Sequence, residues 1–244
     1  MKKISTLLFI TGLVLTSASS LFAADVTVDD ILNKLNQNQQ QINTMKMTMN
    51  SKTTIEMPGK DPMTISQRST MIFKKPDKMK METFSPIHQV IIRSGSNMYV
   101  KMPDGKVIKQ DMSENGMQLP GMDFTSGAMQ DFKKNFTVSL ESSESMPIEN
   151  LYVLSLIPKQ PNEMISKMKM TVDYKEGCAN KIRIYNDRGE IVSQVQFENQ
   201  LKNNIWLPKK LILDSIMPTG KNKTEIIYEE LEINGNLDNE EFKF

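Results

Sequence analysis

Residues 44–57 alternate between two kinds of side chain. The odd positions are mostly apolar, from Met45 through Met49 to Ile55, whereas every even position is polar or charged. A period of two places successive side chains on opposite faces of an extended chain. The segment therefore predicts a long β-strand with one dry face and one wet face.

Two further segments continue this alternation. Residues 58–62 form a Pro- and Gly-containing turn, and residues 74–78 form a second break around Pro76. We expect three antiparallel strands that place a mostly methionine face on one side of a sheet. The residues predicted for this face, which we interpret as an acyl-chain cavity, are Met45, Met47, Met49, Ile55, Met63, Ile65, Met71, Phe73, Met79 and Met81.

A helix is predicted before the first strand. Thr27 has the character of an N-cap, Asp29 and Asp30 follow in the first turn, and apolar residues recur at helical spacing over residues 28–43. The stripe must cover apolar surface, and the methionine face is the nearest candidate in the sequence.

Short alternating runs separated by turn residues continue to the end of the chain. Regular meanders of this kind curl into barrels or half-barrels. The predicted fold is mainly β: a single antiparallel half-open barrel of about eleven to twelve strands, with an N-terminal amphipathic helix and short helices over the concave face. Residues 111–134 interrupt the strands and are either a movable lid or a fixed loop that fills the core. The apolar residues assigned to this lid are Met117, Leu119, Met122, Phe124, Met129 and Phe132.

Composition narrows the class of function. The chain has 244 residues, a net charge of +1, one Cys and one His. Near-neutral charge argues against nucleic acid as a partner, and one Cys with one His cannot build a disulfide framework or a Cys/His metal site. His88 and Cys178 have no catalytic partner in the pattern, so we expect no enzyme, no metal and no cofactor.

Residues 1–23 have the pattern of a signal peptide. Lys2 and Lys3 precede an apolar core over residues 7–15, and cleavage is expected after Ala23. The domain is expected to span residues 24–244 and to be exported, which means the periplasm in a bacterium with two membranes.

The 20 methionines leave two interpretations open. Thioether side chains are flexible and polarisable, so they suit an adaptable apolar cavity for an acyl chain. Alternatively, the chain simply uses methionine where other proteins use leucine in their core.

Four segments together resemble a known family. They are "IFKKPDKMKME", "VIIRSGSNMYVKMPDGKVIK", "NNIWLPKKLIL" and "EINGNLDNEEFKF", and in this order they resemble the LolA-like outer-membrane lipoprotein carriers and lipoprotein-sorting proteins. The resemblance implies a monomeric half-barrel that holds the acyl chains of lipoproteins. It also implies an inner-membrane ABC transporter as donor and an outer-membrane receptor as acceptor.

The resemblance assigns roles to three residues. Lys75, the basic residue before the turn proline, would contact the helical lid, although lysine has fewer donors than the arginine usual in the family. Met79 and Met81 would line the entrance. Glutamate at Met47, Met79 or Met81 is expected to leave the fold intact and to abolish acyl binding. A carrier or sensor of another lipid on the same fold is the alternative.

Overall fold

The computed structural model describes residues 26–111, 133–160, 165–217 and 219–244. One helix precedes thirteen strands that form a single antiparallel sheet. The helix is α1 (Val28–Gln40), and the strands are β1 (Thr44–Glu56), β2 (Met63–Lys74), β3 (Lys78–Ser85), β4 (Gln89–Ser94), β5 (Asn97–Lys101), β6 (Val107–Asp111), β7 (Phe136–Leu140), β8 (Leu151–Pro158), β9 (Lys167–Asp173), β10 (Cys178–Tyr185), β11 (Ile191–Lys202), β12 (Ile205–Met217) and β13 (Gly220–Ile233).

The order of strands across the sheet is β6-β5-β4-β3-β2-β1-β13-β12-β11-β10-β9-β8-β7. The first strand therefore pairs with the last, and β6 and β7 lie at opposite edges of an open sheet. The prediction of a mainly antiparallel half-open barrel with an N-terminal helix is confirmed, with thirteen strands rather than the eleven or twelve expected.

The start of α1 follows the sequence signals. The Thr27 hydroxyl accepts a hydrogen bond from the backbone N–H of Asp30, and the Asp30 carboxylate accepts one from the Thr27 N–H. This reciprocal capping box satisfies two backbone donors that a helix start otherwise leaves unpaired. The same bonds hold the pKa of Asp30 below its ordinary value, with the Thr27 hydroxyl as the largest cause.

The position of α1 corrects the expectation that it covers the methionine face of β1–β3. Its buried residues Ile31, Leu32 and Leu35 pack with the second half of the sheet, in a cluster that includes Leu154 and Met170. The side chain of Asn38 fastens this packing, because its Nδ2 donates to the Trp206 carbonyl at 2.7 Å and its Oδ1 accepts from the Trp206 N–H at 2.9 Å. The helix packs on the continuous apolar surface of β8–β10 and not on the strands that follow it directly in sequence.

We call the face of the sheet beneath α1 the inner face, and the opposite one the outer face. The outer face of β2–β4 is covered by the C-terminal segment, residues 234–244. Leu237 and Phe242 bury themselves against Ile72, and the Lys80 Nζ donates to the carbonyl of Lys243 at 2.7 Å. The C-terminal segment therefore covers the outer face of these strands.

Three predictions lie outside the described residues. They are the signal peptide, the short helices within residues 111–134, and the six lid residues Met117, Leu119, Met122, Phe124, Met129 and Phe132. Within the described ranges, no helix has the length and apolar character needed to cross a membrane.

Candidate ligand-binding face

The strand register aligns apolar side chains of the inner face into rows. Met47 lies opposite Met71, which lies opposite Met81 on the next strand. The row continues through Ile91 on β4 to Val100 on β5. Because directly opposed side chains on one face are neighbours, five strands contribute one continuous apolar stripe. The predicted methionine face of β1–β3 is confirmed by this pairing.

A second row runs beside the first. Met45 pairs with Phe73, and Phe73 pairs with Met79. Across β4 and β5 the row ends in Arg93 and Met98, so a guanidinium group borders the stripe on this side. The two rows together form what we call the methionine face.

The ten residues predicted for the cavity occupy three settings. Met45, Met47 and Phe73 are at most 2% exposed and belong to a packed cluster with Ile42 and Leu207. At the other extreme, two residues near the β1–β2 turn are exposed. The half-buried residues are Met49, Ile55, Met71, Met79 and Met81, and the exposed ones are Met63 and Ile65. Contact with an acyl chain stays a prediction for all ten.

Three uncharged polar side chains border the methionine face. The Ser69 and Thr83 hydroxyls lie 3.1 Å apart, and the Gln67 Nε2 donates to both, at 3.1 and 3.2 Å. Ser69 and Thr83 are 3% and 6% exposed. This group, which we call the polar belt, separates Met71 and Met81 from the exposed residues near the β1–β2 turn. Its groups carry no net charge and are hydrogen-bonded to one another.

Lys75 contacts the end of α1. Its Nζ donates to the carbonyls of Gln40 at 2.8 Å and Gln39 at 3.4 Å, and burial lowers its pKa. The last carbonyls of a helix have no partner within the helix, and a cation there also complements the helix dipole. Lys75 therefore ties the β2–β3 turn to the helix. A contact with the lid predicted in residues 111–134 lies outside the described residues.

Part of this face was not predicted from the sequence. Ile91, Met98 and Val100 extend the methionine rows onto β4 and β5 and are half-buried. In β4 three apolar residues follow one another, from Val90 to Ile92, so a period of two could not decide which side chain faces inward. The strict phase of β3, carried across by the register, was the signal that could have placed Ile91 beside Met81.

A cavity between α1 and strands β10–β12 has a different character. Its volume is about 50 Å³, and Leu35, Asn38, Cys178 and Trp206 contribute to its lining. An apolar cavity that holds benzene has a volume of about 150 Å³, so this space is too small for an acyl chain. It is a packing defect beside the helix rather than a ligand site.

The single Cys and the single His of the chain have different surroundings. Burial, with Glu176 as a second cause, raises the pKa of the Cys178 thiol, and Asn199 donates to its sulfur at 3.1 Å. A thiol held protonated in this way is a poor nucleophile. His88 is exposed and lies 2.8 Å from the Glu82 carboxylate. No group of three acidic, Cys or His side chains in the described ranges could hold a metal ion.

A family model with the description "Uncharacterized protein" matches residues 66–244, which is well over half of the chain. The chain belongs to this family. The resemblance to LolA-like carriers is also confirmed. The chain is 23% identical over 159 residues to the outer-membrane lipoprotein carrier protein of Coxiella burnetii (strain CbuK_Q154), a match that covers 65% of this chain and 70% of that protein.

Solved structures share the fold over nearly the whole chain. A LolA superfamily protein from Nitrosomonas europaea superimposes with a TM-score of 0.62 at 18% identity, covering 90% of this chain and 98% of that one. A DUF1329 family protein from Desulfovibrio piger gives a TM-score of 0.61 at 16% identity, covering 89% and 97%. At such identities the likeness concerns the fold alone.

Proposed function

We propose that the protein is a periplasmic carrier that binds the acyl chains of lipoproteins on its methionine face and moves them from the inner to the outer membrane. The single observation that carries this proposal is the stripe from Met47 to Val100, which crosses five strands and is fully buried only at its Met47 end. The sequence relationship to a lipoprotein carrier supports it.

The energetics suit a carrier. Each methylene group removed from water contributes about 0.8 kcal/mol, so even part of an acyl chain supplies useful affinity. Cargo must also be released to the next site, which requires moderate rather than maximal affinity. Methionine side chains adapt to chains of different shape without specific polar contacts, so they can both accept and release them.

The polar belt suits the uncharged polar groups of the proposed cargo. An acylated protein carries ester or amide groups where its chains begin, and these groups accept hydrogen bonds but bear no charge. Gln67 is the half-buried member of the polar belt, and its uncharged side chain would meet these groups at the border of the apolar stripe. Binding of this kind needs no catalytic group, and we propose a carrier rather than an enzyme.

Native mass spectrometry of the mature protein, purified from periplasm without detergent, tests the proposal. We expect a population with a bound lipoprotein. The Met79→Glu and Met81→Glu variants should be recovered folded but empty. Recovery of cargo on both variants at the wild-type level would show that the methionine face is not the binding site.

A carrier of another lipid is the second candidate. The polar belt favours it as much as the first, because the ester groups of a glycerophospholipid have the same hydrogen-bonding character. The same measurement separates the two by the mass of what is bound. Bound phospholipid or glycolipid alone would favour this second function. An inner-membrane ABC transporter and an outer-membrane receptor for lipoproteins would then no longer be expected as partners.

A further inference from the structure

The apolar stripe of the inner face continues from β5 onto β6. Val100 of β5 pairs with Ile108 of β6, so Ile108 is the next member of the row that begins at Met47. The Lys109 Nζ lies 5.8 Å from the centre of the Tyr99 ring, so these two neighbours share one face of the sheet. Because successive side chains of a strand point to opposite faces, Val100 and Ile108 share the other face, which is the inner one.

The exposure of the side chains rises along this row. Met47 is 2% exposed, Met71 and Val100 are half-buried, and Ile108 is 46% exposed. The row is therefore closed at β1, where Met47 belongs to a packed cluster, and accessible from β2 to β6.

The accessible part of the row has the length of one acyl chain. Neighbouring strands lie about 4.8 Å apart, so the steps from Met71 on β2 to Ile108 on β6 add up to about 19 Å. The hydrocarbon core of a bilayer is about 30 Å thick and contains two layers of chains, which gives about 15 Å for each chain. One membrane acyl chain therefore fits across these strands.

The apolar surface is much shorter along the strands than across them. On β3 only Met79 and Met81 face inward before the buried hydroxyl of Thr83, and residues two apart are separated by about 7 Å along a strand. The polar belt crosses this direction. Ile55 and Met63, which pair with each other on its far side, are thus separated from the stripe.

We propose that the acyl chain lies across the strands, along the row from Met71 to Ile108, and that Val100 and Ile108 determine how long a chain gains affinity. The inference rests on the proposed carrier function and deepens it, because it gives the direction and the length of the bound chain. It also removes Ile55 and Met63 from the contacts of that chain, although the sequence pattern groups them with the methionines.

Chain length and position on the sheet are coupled in this arrangement. A short chain such as decanoate buries most of its surface near the closed end, against Met71 and Met81, and does not reach β6. A long chain such as palmitate also covers Val100 and Ile108. Each methylene group that is covered raises the affinity up to about fourfold. The wild type should therefore bind palmitate at least about tenfold more tightly than decanoate.

Displacement of a fluorescent fatty acid by decanoate and by palmitate tests the proposal on the mature protein. Val100→Ser with Ile108→Ser should weaken palmitate binding at least about tenfold and leave decanoate binding unchanged. Ile108→Ser alone alters an exposed side chain, so it should keep the fold and still weaken palmitate binding about threefold.

A matched control lies on the same face beyond the polar belt. Ile55 is half-buried like Val100, and Met63 is 46% exposed like Ile108. Ile55→Ser with Met63→Ser should therefore bind both fatty acids like the wild type. Weaker palmitate binding in this control, without such weakening in the Val100 and Ile108 variant, would place the chain along the strands and overturn the proposal. Equal weakening of both fatty acids by the Val100 and Ile108 variant would overturn it as well.

The wild type distinguishes a failure of this inference from a failure of the carrier function. A protein that bound neither the fluorescent fatty acid nor palmitate would refute the carrier function and the chain direction together. A protein that bound both fatty acids without preferring palmitate would refute only the direction and the length.

Discussion

The tetrapeptide Lys-Met-Lys-Met occurs twice in the chain, at residues 78–81 and 167–170, with opposite outcomes. In both copies the methionines face inward and the lysines outward. Met168 and Met170 are at most 1% exposed, beneath α1, while Met79 and Met81 are only half-buried. The same pair of methionines thus forms sealed core in one half of the sheet and accessible apolar surface in the other.

The element that packs on a methionine strand therefore decides whether its methionines are sealed or accessible. On the second half, α1 brings Ile31, Leu32 and Leu35 against β8–β10 and completes a core. On the first half the described residues include no such helix over Met79 and Met81. Methionine side chains are adaptable, and we propose that on the first half of the sheet a ligand packs on them instead.

The largest effect should come from placing a charge in the sealed copy. Met170→Glu would bury a carboxylate without a partner, which costs about 4 kcal/mol or more. Met81→Glu can turn toward solvent and should cost far less. Urea denaturation measures both. Similar losses of unfolding free energy would remove the distinction between the sealed and the accessible copy.

The next largest effect concerns ligand binding by the accessible copy. Met81→Glu should raise the dissociation constant for a fluorescent fatty acid at least about tenfold, because a carboxylate would lie against the methylene groups. Ile227→Glu is the matched control, since Ile227 is 43% exposed and pairs with polar Asn50 and with Lys210 away from the methionine rows. Unchanged affinity in the Met81 variant would leave the methionine face without its proposed ligand.

A smaller effect should follow from removing the contact between Lys75 and the end of α1. Lys75→Met removes the hydrogen bond to the Gln40 carbonyl, worth about 1 kcal/mol. Hydrogen exchange should increase at the end of α1. Lys78→Met is the control, because the Lys78 Nζ donates to Asn239 Oδ1 on the outer face. Faster exchange in both variants would mean that α1 does not depend on Lys75.

The smallest expected effect comes from breaking an ion pair that a lysine of the sealed copy makes. Lys169 of the sealed copy is paired with Glu144, which also accepts from the Arg183 Nη2 at 2.8 Å. The hydrogen bond from Lys169, followed by that from Arg183, holds the pKa of Glu144 below its ordinary value. A lowered folded-state pKa contributes stability above the ordinary value of 4.5, and this contribution is lost as the pH falls through the folded-state pKa.

Glu144→Gln should therefore cost about 0.5 kcal/mol at pH 7, since the carboxylate is partly exposed. The difference from wild type should shrink below pH 4.5 and vanish once the carboxyl is protonated. Thermal unfolding across this range measures it. A difference that stays constant with pH would assign the effect to packing instead of charge.

The sequence predicted the fold well where alternation was strict. Met45 to Ile55 on β1 and Met79 with Met81 on β3 have one apolar phase, so their shared face followed directly. In β4 the run from Val90 to Ile92 has no phase, because Val90 and Ile92 pack on the outer face while Ile91 faces inward. A strand with apolar residues on both faces loses the periodic signal.

The sequence could not predict which distant strands each apolar surface packs against. The pattern placed α1 on the nearest strands, but its apolar stripe packs against strands more than a hundred residues away. For the same reason Met47 was expected to tolerate glutamate. At 2% exposed, within the cluster of Phe73 and Leu207, it belongs instead with Met170, and Met47→Glu should unfold the protein.

The pairing of β1 with β13 has a consequence for how the chain folds. Met45 lies opposite Ile233, so the centre of the sheet joins segments that are far apart along the chain. Contacts of such sequence separation form late and slowly, because a long loop must close before they contribute. An emerging chain can form its local hairpins early, but β1 stays unpaired on one side until β13 has been made. Nascent forms of this protein would therefore depend on protection from aggregation until β13 has been made.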